Sequence, residues 1–239
     1  MILNVDTSYR PVTHCIFDMD GLLLDTENIY FECFDEVLKG FGHRYNHEMA
    51  NRLRGTSRAV SSKITVEHYQ LPITADEFLQ KLDALLPSRI GNCQLMPGAD
   101  RLVRHLHKHK VPIAIATGSS LEYVKIKTRN HQEFIKLFLH LVSGSDDPEV
   151  KQGKPAPDVF LVCARRFSPP IEGPEACGQV LVFEDAPNGV RAALAANMQV
   201  VMVPDPKAIT PEQRKEPTIC INSLENFRPE LFGLPPFSD

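Results

Sequence analysis

The chain has 239 residues, 43% of them hydrophobic and 23% charged, with a net charge of −4. That apolar fraction fills a core and excludes intrinsic disorder. An acidic balance without clustered Lys and Arg excludes nucleic-acid binding through a generic basic surface, so an anionic ligand must be met by a few placed cations.

The first element in chain order is a buried strand over His14–Phe17, closed by Asp18. From Thr26 to Met96 the sequence is helical and rich in charge, without a buried strand, and Pro97-Gly98 punctuates its end. Ala99–Leu106 is an amphipathic helix. Pro112–Ala116 is a second strand, before Thr117, and Leu139–Val142 a third, before Ser143. A helix over Asp158–Ala164 follows Pro157 in first-turn style. Val180–Phe183 is a strand before Glu184, Asn188–Asn197 an Ala-rich helix, and Val200–Val203 a strand before Pro204. Ser168–Pro174 reads as a Pro-rich surface connection. Short β-branched runs suit strands buried on both faces, and their alternation with helices gives an α/β fold. The expected architecture is a doubly wound, mostly parallel, Rossmann-like sheet from residues 1–25 and 97–239. An inserted helical cap over residues 26–96 completes it.

Polar residues gather at the carboxyl ends of these strands, where open α/β sheets place their ligands. Asp18 and Asp20 follow the first strand, and their spacing in extended chain directs both carboxylates to one side. Thr117 follows the second, with Gly118 and Ser119 adjoining it as candidate phosphate-binding positions. Lys154 lies in Gly153-Lys154-Pro155, and Glu184 and Asp185 follow the fourth strand. Four carboxylates on one rim repel each other and call for a divalent cation. Hard oxygen ligands suit Mg²⁺ with a substrate phosphate oxygen. Lys154 and the Thr117 hydroxyl can hold the other phosphate oxygens. One aspartate can then attack as a nucleophile while its partner serves as acid and base. Plainer readings exist for each: turn chemistry at Asp20-Gly21, a solvated loop charge at Lys154, a helix cap at Thr117.

This ordered set resembles the haloacid dehalogenase-like hydrolase superfamily at all four of its motifs: Asp18-x-Asp20, Thr117, Lys154 and Glu184-Asp185. Phe17–Glu27 resembles the capped subfamily of sugar-phosphate phosphatases and β-phosphoglucomutases. Phe167–Pro170, Phe183–Val190, Met198–Asp205 and Pro229–Pro235 are similar to members acting on pseudouridine 5′-phosphate. The resemblance implies that Asp18 is the nucleophile and Asp20 the general acid, then the base. It implies Mg²⁺ held by the Asp18 carboxylate, the Asp20 backbone carbonyl and Asp185, with Glu184 in or near the outer shell. Thr117 and Lys154 would stabilise the transferring phosphoryl group. The implied reaction is hydrolysis of a small phosphate monoester through an aspartyl phosphate, with pseudouridine 5′-phosphate as the first substrate. A sugar or polyol phosphate is the alternative, ahead of a β-phosphoglucomutase-like mutase and of a non-catalytic binding module.

Two positions bear on that choice. Tyr30 stands where the mutases carry a His, which favours hydrolysis over a second transfer. Leu53–Arg58 resembles the mutase-type cap loop, in which an Arg contacts the sugar phosphate, so Arg54 and Arg58 become candidate substrate contacts. They equally suit an ordinary charged helix surface. His105, His107 and His109 mimic metal spacing, but i, i+2 and i+4 do not share a helix face, and a basic helix end is expected. The six scattered cysteines lack a CxxC pair and fit a structural role in a reducing compartment. Met1–Asp6 has no signal-peptide pattern, and no apolar run approaches the roughly eighteen residues that span a bilayer. A cytoplasmic monomer with no membrane or nucleic-acid partner is expected.

Overall fold

Among the described residues, six strands pair in parallel into one sheet in the order β3-β2-β1-β4-β5-β6. They are β1 (His14–Phe17), β2 (Ile113–Thr117), β3 (Leu141–Ser143), β4 (Val180–Glu184), β5 (Gln199–Met202) and β6 (Ile219–Cys220). The computed structural model describes residues 9–53, 56–206 and 209–238. Every residue of β2 and β4 is buried, as their unbroken apolar runs require of strands covered on both faces. The strand period divides the apolar residues between two cores. Cys15, Phe17, Ile113, Ile115, Leu181 and Phe183 point to one, and Ile16, Ala114, Ala116, Val182 and Val200 to the other.

The helices are α1 (Glu27–Lys39), α2 (His47–Leu53), α3 (Arg58–Tyr69), α4 (Ala75–Ile90), α5 (Ala99–Lys108) and α6 (Leu121–Lys127). α7 (Gln132–Ile135), α8 (Asp158–Arg165), α9 (Gly173–Cys177) and α10 (Pro187–Ala195) follow among the described residues. Leu102, Val103 and Leu106 of α5 pack on the first face of the sheet, and α8 and α10 cover the second. This is the doubly wound parallel architecture expected. The strand order reverses at β1, whose neighbours are β2 and β4. That reversal opens a crevice at the carboxyl ends of β1 and β4.

α1 to α4 fill the interval read as helical, and they bury a third apolar core of their own. Phe34, Leu38, Phe78, Leu82, Leu86 and Ile90 are each at most 4% exposed. The chain leaves and re-enters through two segments lying side by side. Asp25 N–H donates to the Gln94 carbonyl at 2.9 Å and Met96 N–H to that of Leu23 at 2.9 Å. Gly98 then caps α5 with φ +83, where a Cβ would meet the backbone of Glu225 at 2.5 Å. A side chain is excluded there by both conformation and space.

Two details differ from the sequence reading. Thr117 and Glu184 are the last residues of their strands rather than the first beyond them. β6 was not expected: its two residues are only half-buried, too short a run to give a periodic signal.

Candidate active site

Parallel pairing sets the site. Phe17 lies opposite Phe183 with their rings stacked 4.6 Å apart, and Asp18 N–H donates to the Phe183 carbonyl at 3.0 Å. Asp18 and Glu184 therefore emerge side by side from the central strands. Gly21, with φ +78, turns the chain back after Asp20, and a Cβ there would come within 2.5 Å of Asp185 Oδ2. Asp18, Glu184 and Asp185 are all buried, and each offers a carboxylate oxygen within 4.8 Å of the others. Such a trio can hold a metal ion. Two negative neighbours alone would not keep three carboxylates in place without a cation.

Lys154 supplies one. Its ammonium donates to Asp18 Oδ1 and Glu184 Oε1, both at 2.6 Å, and to the Ala116 carbonyl at 3.3 Å, with the side chain 5% exposed. It thus crosses from its loop to three neighbouring strand ends. The second Glu184 oxygen accepts the Asp185 and Ala186 N–H groups at 3.1 and 3.3 Å, ahead of α10. Burial pushes the Asp18 carboxyl up; Lys154 pulls against this, and the Glu184 and Asp20 charges reinforce it. The Lys154 ammonium is held above its ordinary range: burial opposes its charge, and Asp18 and Glu184 outweigh burial.

Asp20 has a separate cation that the sequence reading missed. Lys127, at the end of α6 and fully buried, donates to Asp20 Oδ1 and to Ser119 Oγ, both at 2.6 Å. Thr26 donates to the same Asp20 oxygen at 2.8 Å and Ser119 to the other at 2.8 Å. Burial alone would raise the Asp20 carboxyl, but Lys127, Ser119 and Thr26 bring it below its ordinary value. A signal existed in the sequence. Tyr123, Val124 and Lys127 share the buried stripe of α6, so the lysine replaces an apolar residue on an inward face.

Thr117 is fully buried and its hydroxyl accepts the Ser119 N–H at 3.1 Å. The cap of α6 is instead Ser120, whose side chain accepts from Tyr123 N–H. The loop over Gly118 and Ser119 is fixed from the β3 side, where Ser145 donates to the Gly118 carbonyl at 2.6 Å and Ser143 to that of Ser119 at 2.7 Å. Asp18, Asp20, Thr117, Gly118, Ser119, Lys154, Glu184 and Asp185 are thereby brought to one rim.

The arginines are a different matter. Arg54 lies outside the described residues. Arg58 pairs with Asp83 and lies over the Tyr123 ring, 3.6 Å from its centroid, while Tyr123 Oη donates to Asp83 at 2.7 Å. It joins the four-helix segment to α6. Of the three histidines, His105 is buried against the Pro235 carbonyl at 2.8 Å and His107 lies against the Leu137 carbonyl at 3.1 Å. All six cysteines are free, five of them buried.

Comparisons with known proteins agree with this geometry. Residues 12–197 match the family described as haloacid dehalogenase-like hydrolase. The probable pseudouridine-5′-phosphatase of Drosophila melanogaster is 49% identical over 230 residues, 96% of this chain and 97% of the fly protein. The (DL)-glycerol-3-phosphatase 2 of Arabidopsis thaliana is 46% identical over 95% of this chain and 94% of its own length. Among solved structures, CbbY from Rhodobacter sphaeroides in complex with phosphate has the same fold. It superposes with a TM-score of 0.73 at 21% identity, over 90% of this chain and 96% of that one. The chain belongs to the haloacid dehalogenase-like hydrolase family.

Proposed function

We propose that the chain is a phosphoric monoester hydrolase working through an aspartyl phosphate, with pseudouridine 5′-phosphate as its first substrate. The observation that carries this reading is the pair Asp18 and Asp20, two residues apart on a buried rim and each bound to its own lysine. The Asp18 carboxylate attacks phosphorus as the bond to the leaving oxygen breaks, and Asp20, which enters this step protonated, delivers its proton to that oxygen. Asp20 then takes a proton from water, whose oxygen attacks the same phosphorus. The bond to Asp18 breaks, phosphate departs and the carboxylate is restored. Lys154 and Thr117, with the Gly118 and Ser119 backbone, steady the phosphoryl oxygens.

The buried trio of Asp18, Glu184 and Asp185 suits a small hard cation. Asp18, Asp185 and the Asp20 backbone carbonyl would hold Mg²⁺, with Glu184 bracing Lys154 beside them. Bound there, the ion neutralises charge on the transferring phosphoryl group. Four carboxylates against two lysines leave two formal negative charges, the complement of one divalent cation. Residues 1–25 and 97–239 form the catalytic core, and residues 26–96 a cap over it. The enzyme works as a cytoplasmic monomer without nucleic-acid or membrane partners, and no helix among the described residues is long and apolar enough to cross a membrane.

A polyol phosphate is the second reading, favoured by the Arabidopsis glycerol-3-phosphatase at 46% identity. Arg54 and Arg58 are the cap candidates for reading the remainder of the substrate. Asp18→Asn is expected to lower phosphate release by at least ~10³-fold with the fold intact by circular dichroism; full activity would refute the nucleophile. A chelator should abolish turnover and Mg²⁺ restore it; activity in metal-free protein would remove the metal role. Phosphate release across pseudouridine 5′-phosphate, ordinary nucleoside monophosphates, hexose phosphates and glycerol phosphates decides the substrate. Preference for a hexose or polyol ester selects the second reading.

A further inference from the structure

The fully buried Lys127 is unexplained by phosphate binding or by any metal role. Its ammonium donates to Asp20 Oδ1 and Ser119 Oγ, at 2.6 Å each, and stands beside Tyr30. The side chain is 0% exposed, and its charge also lies 5.4 Å from the centroid of the Tyr30 ring. With the lysine fully buried and the Asp20 side chain only 19% exposed, the pair is a poor source of stability, because desolvating the charges offsets much of their attraction. An apolar residue there would continue the buried stripe of Tyr123 and Val124 but leave Asp20 and Ser119 without this donor. What the lysine supplies and an apolar residue cannot is direction: a fixed point charge that holds one carboxylate oxygen.

We infer that Lys127 is a positioning residue that aims the Asp20 carboxylate at the leaving-group oxygen of the substrate. Asp20 has one oxygen held by Lys127 and Thr26 and the other by Ser119. These partners come from both parts of the molecule. Ser119 and Lys127 belong to the β2–α6 region, whereas Thr26 and Tyr30 stand at the start of α1, where the chain enters the four-helix segment. Lys127 touches both sets, so the carboxylate is anchored only when the α1 entry is seated against α6. Proton delivery is acutely sensitive to such placement, since an acid must stand within hydrogen-bond reach of the atom it serves. Lys154 plays no part in this, being occupied with Asp18 and Glu184.

The inference rests on Asp20 being the general acid, and its test separates the two. An alkoxide leaving group needs a proton as it departs, and p-nitrophenolate does not. The quantity read is therefore the ratio of kcat/KM for p-nitrophenyl phosphate to that for an alkyl monoester, glycerol 3-phosphate or pseudouridine 5′-phosphate. Because both esters are measured on one preparation, the ratio is independent of the fraction folded. Asp20→Asn should raise it by about 10²-fold or more, the usual scale of acid catalysis. Lys127→Met should raise it by at least ~10-fold, acting through a misplaced rather than a missing acid. If Asp20→Asn leaves the ratio unchanged, the general-acid assignment fails and this inference with it. If Asp20→Asn raises the ratio but Lys127→Met depresses both esters equally, or neither, Lys127 is structural and the inference alone is overturned.

Discussion

Gly189, in the first turn of α10, stands against the Glu184 carboxylate so closely that a Cβ would come within 1.9 Å of it. That carboxylate cannot swing aside, because Lys154 holds one of its oxygens and the Asp185 and Ala186 N–H groups the other. In a helix interior Ala is better than Gly by about 1 kcal/mol. Here overpacking against a fixed carboxylate costs about 1–3 kcal/mol and wins. Gly189→Ala is therefore expected to lower stability in urea unfolding and to reduce turnover, since displacing Glu184 releases Lys154 from its place beside Asp18. A variant as stable as the parent, or more so, would show that Glu184 has room to move. Nothing local in Pro187-Asn188-Gly189 announces this requirement. It arises because α10 begins where β4 delivers Glu184, a juxtaposition that only the folded chain makes.

At the scale of elements, Asp35 ties α1 to the loop that leads into α2. Its carboxylate accepts Arg44 Nε at 2.8 Å, Tyr45 N–H at 3.1 Å and Lys39 Nζ at 2.9 Å. The Arg44 bond first, and then that of Lys39, hold it down at about 2, against the upward push of burial. A carboxyl depressed in the folded state adds stability above its unfolded value near 4, and that stability is lost as pH falls toward 2. Arg44 and Lys39 are mostly exposed, so solvent screening reduces the contribution to about 1–2 kcal/mol. Asp35→Asn should thus be less stable than the parent at pH 7, by a gap that closes between pH 4 and pH 2. Urea titrations at pH 7, 5 and 3 test this, and a gap independent of pH would mean that the charge is not what matters. Elements of this kind were legible to different depths. The five longer strands and the helical interval follow from period and composition, because burial on both faces leaves an unbroken apolar run. The motif residues Asp18, Asp20, Thr117, Glu184 and Asp185 were legible because each closes such a run or adjoins one, whereas Lys154 lies in a polar loop and was legible only through the ordered set of motifs. β6 was not, being two half-buried residues, and Lys127 was passed over because its helix also carries the exposed Glu122 and Lys125.

Taken whole, the described residues form three apolar cores, two on the faces of the sheet and one within α1 to α4. The third is joined to the rest by the paired segments around Leu23–Asp25 and Gln94–Met96, and by α6, whose Tyr123 packs with that core and binds Asp83. Most of the remaining ties are hydrogen bonds at its margins, such as Arg129 to the Gly91 carbonyl and His131 to that of Cys93. A core with its own apolar interior should therefore open separately, below the global unfolding free energy. Phe78 of α4 lies at its centre, fully buried, with its ring centroid 5.6 Å from that of Phe34. Phe78→Ala removes a large side chain from a site that cannot collapse fully and should cost about 3–5 kcal/mol. If the cap is a separate unit, that loss stays within it. Amide exchange should accelerate across α1, α3 and α4 while β1 and β4 keep their protection. Turnover should fall as well, because Thr26 and Tyr30 reach Asp20 and Lys127 from the entry to α1. Equal acceleration of exchange in the helices and in the central strands would instead make the chain a single cooperative unit, and the division at residues 26 and 96 would have no energetic meaning.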